Sequence, residues 1–235
     1  MKNSFKYLLV AGLGVLAFAC KKDNYAEPQS LLTGNLLYQK DTIYVERNSV
    51  HFQIYQFGFG KVAPISTDET FAQDGSYSAA LFNGDYKLIV PSGDGPFMWK
   101  QTASGTPDSV SVTMNGNQKV DLEVTPYYMV RNAQITVSGN TVNASFKAEK
   151  IITDANAKDI ERVSLYINKT QFVSGGNNIA AADIAGADIT DPNNITMSVD
   201  IPTITPTQSY VFARVGIKIA GVEDMIFSPL IKVDY

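Results

Sequence analysis

The chain is predicted to be all-β, folded as two consecutive antiparallel β-sandwich domains. Three observations predict this. From Leu31 onward, short runs alternate apolar and polar residues with period two; the runs are rich in Val, Ile, Thr, Tyr and Phe; and Gly, Pro, Asn and Asp separate them. No repeat period and no heptad interrupts the pattern.

The N-terminus reads as an address. Lys2 and Lys6 precede a short apolar run, Tyr7 to Ala19, which ends at Cys20, the only cysteine. A basic start, a short apolar segment and a small residue before a cleavage point make a secretory signal over residues 1–19. The run is too short for a span of roughly 20 residues. Ala17-Phe18-Ala19-Cys20 resembles a lipobox, with Ala17 where the strictest form has Leu. The reading is therefore that Cys20 carries a lipid anchor in an outer membrane, so that the chain is anchored and does not span. Lys21-Lys22-Asp23 resembles the Lys-acidic export signal of Bacteroidetes surface lipoproteins, which places the protein on the cell exterior. An ordinary solvated charge cluster is the alternative. Residues 20–30 are polar, contain Pro28 and form a tether.

The first domain is expected over residues 31–125. Val50, Phe52 and Ile54 share one strand face, with His51, Gln53, Tyr55 and Phe57 on the other. Tyr86, Leu88 and Val90 repeat the device. Residues 109–114 and 118–124 alternate about Asn115-Gly116-Asn117, which predicts a hairpin. Pro126 cannot donate to a central ladder, so the domain ends near it.

The second domain is expected over 126–235. Val142, Ala144, Phe146 and Ala148 share a face, as do Val163, Leu165 and Ile167, and Met197, Val199 and Ile201. The longest run sets Val211, Ala213, Val215, Ile217 and Ile219 against Tyr210, Phe212, Arg214, Gly216 and Lys218. A closing strand is expected from Ile226 to the end. Residues 154–159 read as one helical turn, and 178–189 is ambiguous, because Gly186 and Asp191-Pro192 interrupt an Ala-rich stretch.

Phe71 to Tyr77 (with Asp74-Gly75) followed by Leu81, Gly84, Tyr86 and Leu88 resembles the Asp-Gly-x-Tyr…Leu-x-x-Gly-x-Tyr-x-Leu signature of transthyretin-like and carboxypeptidase-regulatory-like sandwiches. Asn24-Tyr25 with Pro28, Leu32-Thr33-Gly34, Gly95-Pro96-Phe97 and Val124 to Tyr128 extend the match. Together they resemble a Bacteroidetes family of two-domain surface lipoproteins of unknown function, often found beside SusC/SusD-type importers. The resemblance implies a transthyretin-like domain followed by an immunoglobulin- or fibronectin-like one. It assigns no catalytic residue.

Composition narrows the function classes. The formal charge is −4, and loss of Lys2 and Lys6 makes the mature chain more acidic, which argues against a nucleic-acid partner. With Cys20 lipidated, no thiol remains for a disulfide, a metal or a nucleophile. His51 is the sole histidine, so a Ser-His-Asp triad would need it, yet its neighbours alternate as a strand surface. No catalytic residue and no cofactor is expected, and the chain is read as no enzyme. Asp183, Asp188 and Asp191 lie in a loop-like stretch and read as turn residues; with Asn193 and Asn194 their oxygens are also the one set suited to calcium.

The ligand-binding candidates are aromatic: Trp99 and Phe97 beside Pro96, and Tyr55, Phe57 and Phe59 around Gly58. Flat rings match the apolar faces of sugars, which makes a glycan the candidate ligand. The other reading is packing, with Trp99 and Phe97 plugging a sandwich end and Tyr55 and Phe57 against the second domain. The sequence thus predicts an accessory module for glycan uptake or, alternatively, a structural module of an importer complex that binds no sugar.

Overall fold

The computed structural model describes residues 26–58 and 65–235. The signal segment, Cys20, Lys21-Lys22-Asp23 and Phe59 lie outside the described residues. Their regular secondary structure is nearly all strand, and none of their helices is long and apolar enough to cross a membrane.

The first half holds β1 (Ser30–Tyr38), β2 (Asp41–Thr42), β3 (His51–Phe57), β4 (Ile65–Thr70), β5 (Ser76–Leu81), β6 (Gly84–Ile89), β7 (Phe97–Met98), β8 (Val110–Met114), β9 (Gln118–Lys119), β10 (Leu122–Glu123) and β11 (Thr125–Pro126). One sheet runs β4-β3-β6-β8, all antiparallel. The other is built on β1, antiparallel to β5 and parallel to β9 and β10. Phe52, Ile54, Tyr86 and Leu88 face inward and are buried, as the alternation requires. Phe52, Phe71 and Tyr77 form a ring cluster with centroids 4.7–5.8 Å apart, within the favoured range for aromatic pairs.

The hairpin expected about Asn115-Gly116 does not form. β8 pairs with β6, whereas β9 and β10 pair with β1 in the opposite sheet. The turn carries the chain between sheets, and alternation cannot reveal this, because both sheets bury one face. Side-chain amides hold the turn instead: Asn83 Oδ1 accepts from Gly116 N (3.1 Å) and Asn117 Oδ1 from Leu31 N (2.9 Å).

Gly34 shows why the Leu-Thr-Gly motif is needed. It stands opposite Tyr77 on β5. The Tyr77 ring lies across it, and its hydroxyl donates to Val120 O at 2.6 Å. A Cβ on Gly34 would sit 1.8 Å from Val120 O and 2.6 Å from the ring. Burial pushes the Tyr77 hydroxyl well above the usual tyrosine range, with the Asp121 charge adding to the shift. Asp74-Gly75 forms the expected turn: Gly75 has φ +75°, and Asp74 accepts from Ser76 N at 3.1 Å.

The second half holds β12 (Tyr128–Ser138), β13 (Thr141–Lys150), β14 (Ile160–Asn168), β15 (Ala180–Ala185), β16 (Ile195–Asp200), β17 (Tyr210–Ile219), β18 (Met225–Phe227) and β19 (Ile231–Asp234). Its sheets run β12-β13-β16 and β15-β14-β17, with β18 and β19 both against β17. The ambiguous stretch 178–189 resolves into β15 and a 3₁₀ turn, Gly186–Asp188. Residues 154–159 form no helix: Asp154 Oδ1 accepts from Asn156 N at 2.8 Å and sets a turn. The closing run splits at Pro229, which has no N–H to give. There Ser228 Oγ accepts from Val215 N at 3.1 Å.

The two halves are joined by more than the linker. Tyr44 bridges to Phe227, and Arg214 Nη1 donates to Val45 O at 3.0 Å. Asp224 accepts from Ser49 Oγ and from Gly95 N. Arg214 and Gly216 lie on the face of β17 opposite the Val211–Ile219 set, and Arg214 too is only 1% exposed. Loop 172–174, β18 and residues 44–45 cover that face.

Gly34→Ala is expected to lower stability by about 1–3 kcal/mol or more, the range for overpacking. Tyr77→Phe, which removes only the hydrogen bond, is expected to cost about 1 kcal/mol. Urea unfolding of both variants checks the ordering.

Candidate functional site

A cleft of about 710 Å³ opens where the two halves meet. It is lined mainly by 91–101 from the first half and by 155–158 and 221–223 from the second, with Pro107 and Tyr127. Each is positioned by local chemistry. Gly93 and Gly95 adopt φ of +93° and +85°, which lets 91–95 turn back sharply. Gly95 N is held by Asp224 Oδ2 at 2.9 Å. Tyr127 N donates to Pro96 O at 3.2 Å and fixes the linker to the cleft wall.

Phe97 and Trp99 reach this cleft only as its floor. Phe97 is 5% exposed and Trp99 7%. β7 pairs Phe97 with Pro126, and the Phe97 ring covers Gly95. Loop 99–108 doubles back through the Gln101–Pro107 bridge, so that Asp108 O accepts from the Trp99 indole N–H at 2.7 Å. A buried indole needs such a partner; it leaves no ring face for a sugar. Tyr55 and Phe57 lie elsewhere, on the outer face of β3. Tyr55 is half-buried and donates to Gln53 Oε1 at 2.7 Å. Phe57 is exposed, with Lys87 Nζ 5.4 Å from its ring centre. The four described members of the candidate set therefore do not share one platform: Phe97 and Trp99 form a buried floor, and Tyr55 and Phe57 lie on β3, outside the cleft lining.

The groups that face the cleft are mostly polar and were not read from the sequence: Asp94, Gln101, Asn156, Lys158 and Glu223, with Tyr127 as the accessible ring. Lys158 Nζ lies 5.7 Å from the Tyr127 ring centre. The Gly93-Asp94-Gly95 turn beside an aromatic segment was the one available signal. Asn156, Lys158 and Glu223 come from segments more than 50 residues away in sequence, brought in by folding. Burial pushes the Asp94 carboxyl up from the ordinary 3.8; His51 opposes this, and the charges of Asp224, Glu223 and Asp68 add to it. Burial likewise raises the Tyr127 hydroxyl.

A second, shallower depression runs along β13, but its charges are already paired, Lys150 with Asp159 at 3.2 Å and Lys147 with Glu149 at 3.9 Å. His51 is exposed at the start of β3. Asp183 lies 4.0 Å from Arg162 Nε on the neighbouring strand β14, and Asp191 accepts from Asn193 N within its own turn. Among the described residues no group of three or more His, Cys, Asp or Glu is placed to hold a metal ion.

Residues 30–125 match the protein of unknown function (DUF3823) N-terminal domain, and residues 128–232 match the domain of unknown function DUF3823_C. A Parabacteroides merdae DUF3823 family protein of known structure is 35% identical, with a TM-score of 0.75 over 89% of this chain and 100% of that one. The chain belongs to the DUF3823 family. A Bacteroides ovatus DUF3823 protein agrees, at 31% identity and TM-score 0.74 over 87% and 98% of the two chains. A Bacteroides uniformis protein described as a "putative carbohydrate binding protein" is 15% identical to this DUF3823 chain, with TM-score 0.70 over 88% and 100%; at that identity the likeness is one of fold. No curated protein matches.

The Asp94 shift has a defined sign. A carboxyl raised in the folded state favours folding when protonated and opposes it when ionised. Asp94→Asn is therefore expected to raise Tm at pH 7. The gain should shrink as pH falls through the raised value and vanish below the ordinary 3.8. Thermal melts of both proteins across acid to neutral pH check this.

Proposed function

We propose that this DUF3823 protein is a non-enzymatic lipoprotein of the cell surface, anchored through Cys20, that binds a glycan and presents it to an outer-membrane importer of the SusC/SusD type. The observation that carries the reading is the junction cleft. It sets carboxylate, amide and ammonium groups around an accessible tyrosine ring, between two domains that hydrogen bonds tie together. Ligand sites occur preferentially at domain interfaces. Sugar hydroxyls both give and accept hydrogen bonds and match such a mixed lining. The structural likeness to the Bacteroides uniformis protein described as carbohydrate-binding supports the same reading through the fold alone.

A second reading has one observation in its favour. Burial of Trp99 removes the strongest sequence argument for sugar, which suits a module that packs against an importer or its partner lipoprotein and binds no glycan.

Calorimetry and arrays with polysaccharides of many classes test the first reading. Binding by at least one class is expected, with Tyr127→Ala weakening it about tenfold or more, a loss of about 1.4 kcal/mol. Absence of binding across the panel, together with co-purification with an importer that survives Tyr127→Ala, would establish the second reading instead. In the same cells, Cys20→Ala is expected to abolish lipid labelling and release the protein from the membrane fraction.

A further inference from the structure

Three residues that line a single small cavity each carry a buried polar atom without a hydrogen-bond partner among the described residues: Arg214 Nη2, Ser174 Oγ and Gln73 Oε1. The cavity is about 90 Å³ and lies where residues 46, 47 and 73 of the first half meet loop 172–177 of the second. Arg214 and Ser174 are 1% and 3% exposed. Orphaned buried polar groups are costly, and native proteins satisfy nearly all of them. Three in one place call for an occupant.

The rest of the wall says what kind. Arg214 gives Nε to Val173 O and Nη1 to Val45 O, both neutral carbonyls, and its guanidinium lies 3.7 Å from the Phe227 ring centre. Nη2 is the remaining prong of the fork. Gln73 gives its amide N–H to Gln171 O at 2.8 Å, while its oxygen is buried without a partner among the described residues. The Glu46 carboxylate also lines the wall. At the cavity wall stands Phe172, 38% exposed, with Arg47 stacked 4.7 Å from its ring centre.

A metal cation would face the Arg214 guanidinium. A phosphate or sulfate would face the Glu46 carboxylate and the Gln73 oxygen. An apolar group would leave all three orphans unmet. A hydroxyl fits: it accepts from Arg214 and Ser174 and donates to Gln73 or Glu46. Sugars carry hydroxyls in adjacent pairs, beside an apolar face that stacks on a flat ring. Liquid water occupies about 30 Å³ per molecule, so the volume admits a few hydroxyl-sized groups and excludes a whole pyranose.

We infer that this cavity is a second saccharide subsite, separate from the junction cleft. The hydroxyl-bearing edge of a terminal sugar inserts between Arg214, Ser174 and Gln73, and its apolar face rests on Phe172. The inference rests on the glycan reading above and adds an end-on site to it.

Saturation-transfer NMR on the purified protein, with the methyl glycosides of glucose, galactose, mannose and xylose, tests it. At least one glycoside is expected to bind. Phe172→Ala should weaken that binding about tenfold and Ser174→Ala about fivefold, the latter matching one lost hydrogen bond. Tyr127→Ala should leave it unchanged. Phe172 is exposed, so its variant is expected to keep the parent Tm. If glycosides bind but only Tyr127→Ala weakens them, the subsite is overturned and the glycan reading stands. If no glycoside binds and soaked crystals show only ordered water at Arg214, the subsite is overturned, and the polysaccharide panel decides the wider reading by itself.

Discussion

The arrangement of the two sandwiches depends on one buried charge. Arg214 sits in the middle of β17, the strand against which most of the second domain's larger sheet is ordered. A guanidinium taken out of water is costly unless its donors are met. Here a carbonyl from each domain meets two of them, Val173 O and Val45 O, while the Phe227 ring covers a face. Burial lowers its pKa to about 10, with Glu46 acting in the opposite direction, so the group stays charged at neutral pH. Separating the domains would rehydrate Arg214 but strand the Phe227 and Tyr44 surfaces. Asp224 supplies the matching anion-side contact, reaching Ser49 and Gly95. The loops that wall the cleft are thus fixed by the same contacts that fix the domains.

The fold was largely legible because its signal is local. Period-two alternation reports which face of a strand is buried, and Phe52, Leu88, Val142 and Val215 all lie where it puts them. Alternation does not report which strand is the neighbour. That is why Asn115-Gly116 read as a hairpin although it connects two sheets. It also fails where a strand is covered twice. Arg214 and Gly216 lie opposite the Val211–Ile219 set, and only the packing of a second domain reveals that this face is covered as well.

The site was less legible for a related reason. Trp99 and Phe97 are aromatics in a Pro- and Gly-rich stretch, a composition that fits an exposed platform and a plugged sandwich end equally well. What decides between them is where Asp108 O falls relative to the indole N–H, and that depends on the fold of a loop. Asp94, Tyr127, Asn156, Lys158 and Glu223 share no spacing in the sequence. The resemblance to a two-domain lipoprotein family located the architecture correctly but carried no site, because its motifs (Gly34, Asp74-Gly75, Tyr77) are folding devices.

The position of β1 has a mechanical consequence. The chain comes into the first sandwich at Ser30 and leaves it through β9 and β10, which run parallel beside β1, with Leu32 opposite Gln118 and Leu37 opposite Glu123. Val120 N to Thr33 O, Val124 N to Leu37 O and the Tyr77 hydroxyl on Val120 O add to the seam. A pull between the chain's two exits from this domain therefore loads these bonds in shear, all together, and does not unzip them one after another. A body held at its N-terminus and tugged through its second domain would resist extension at the seam where β1 meets β9 and β10.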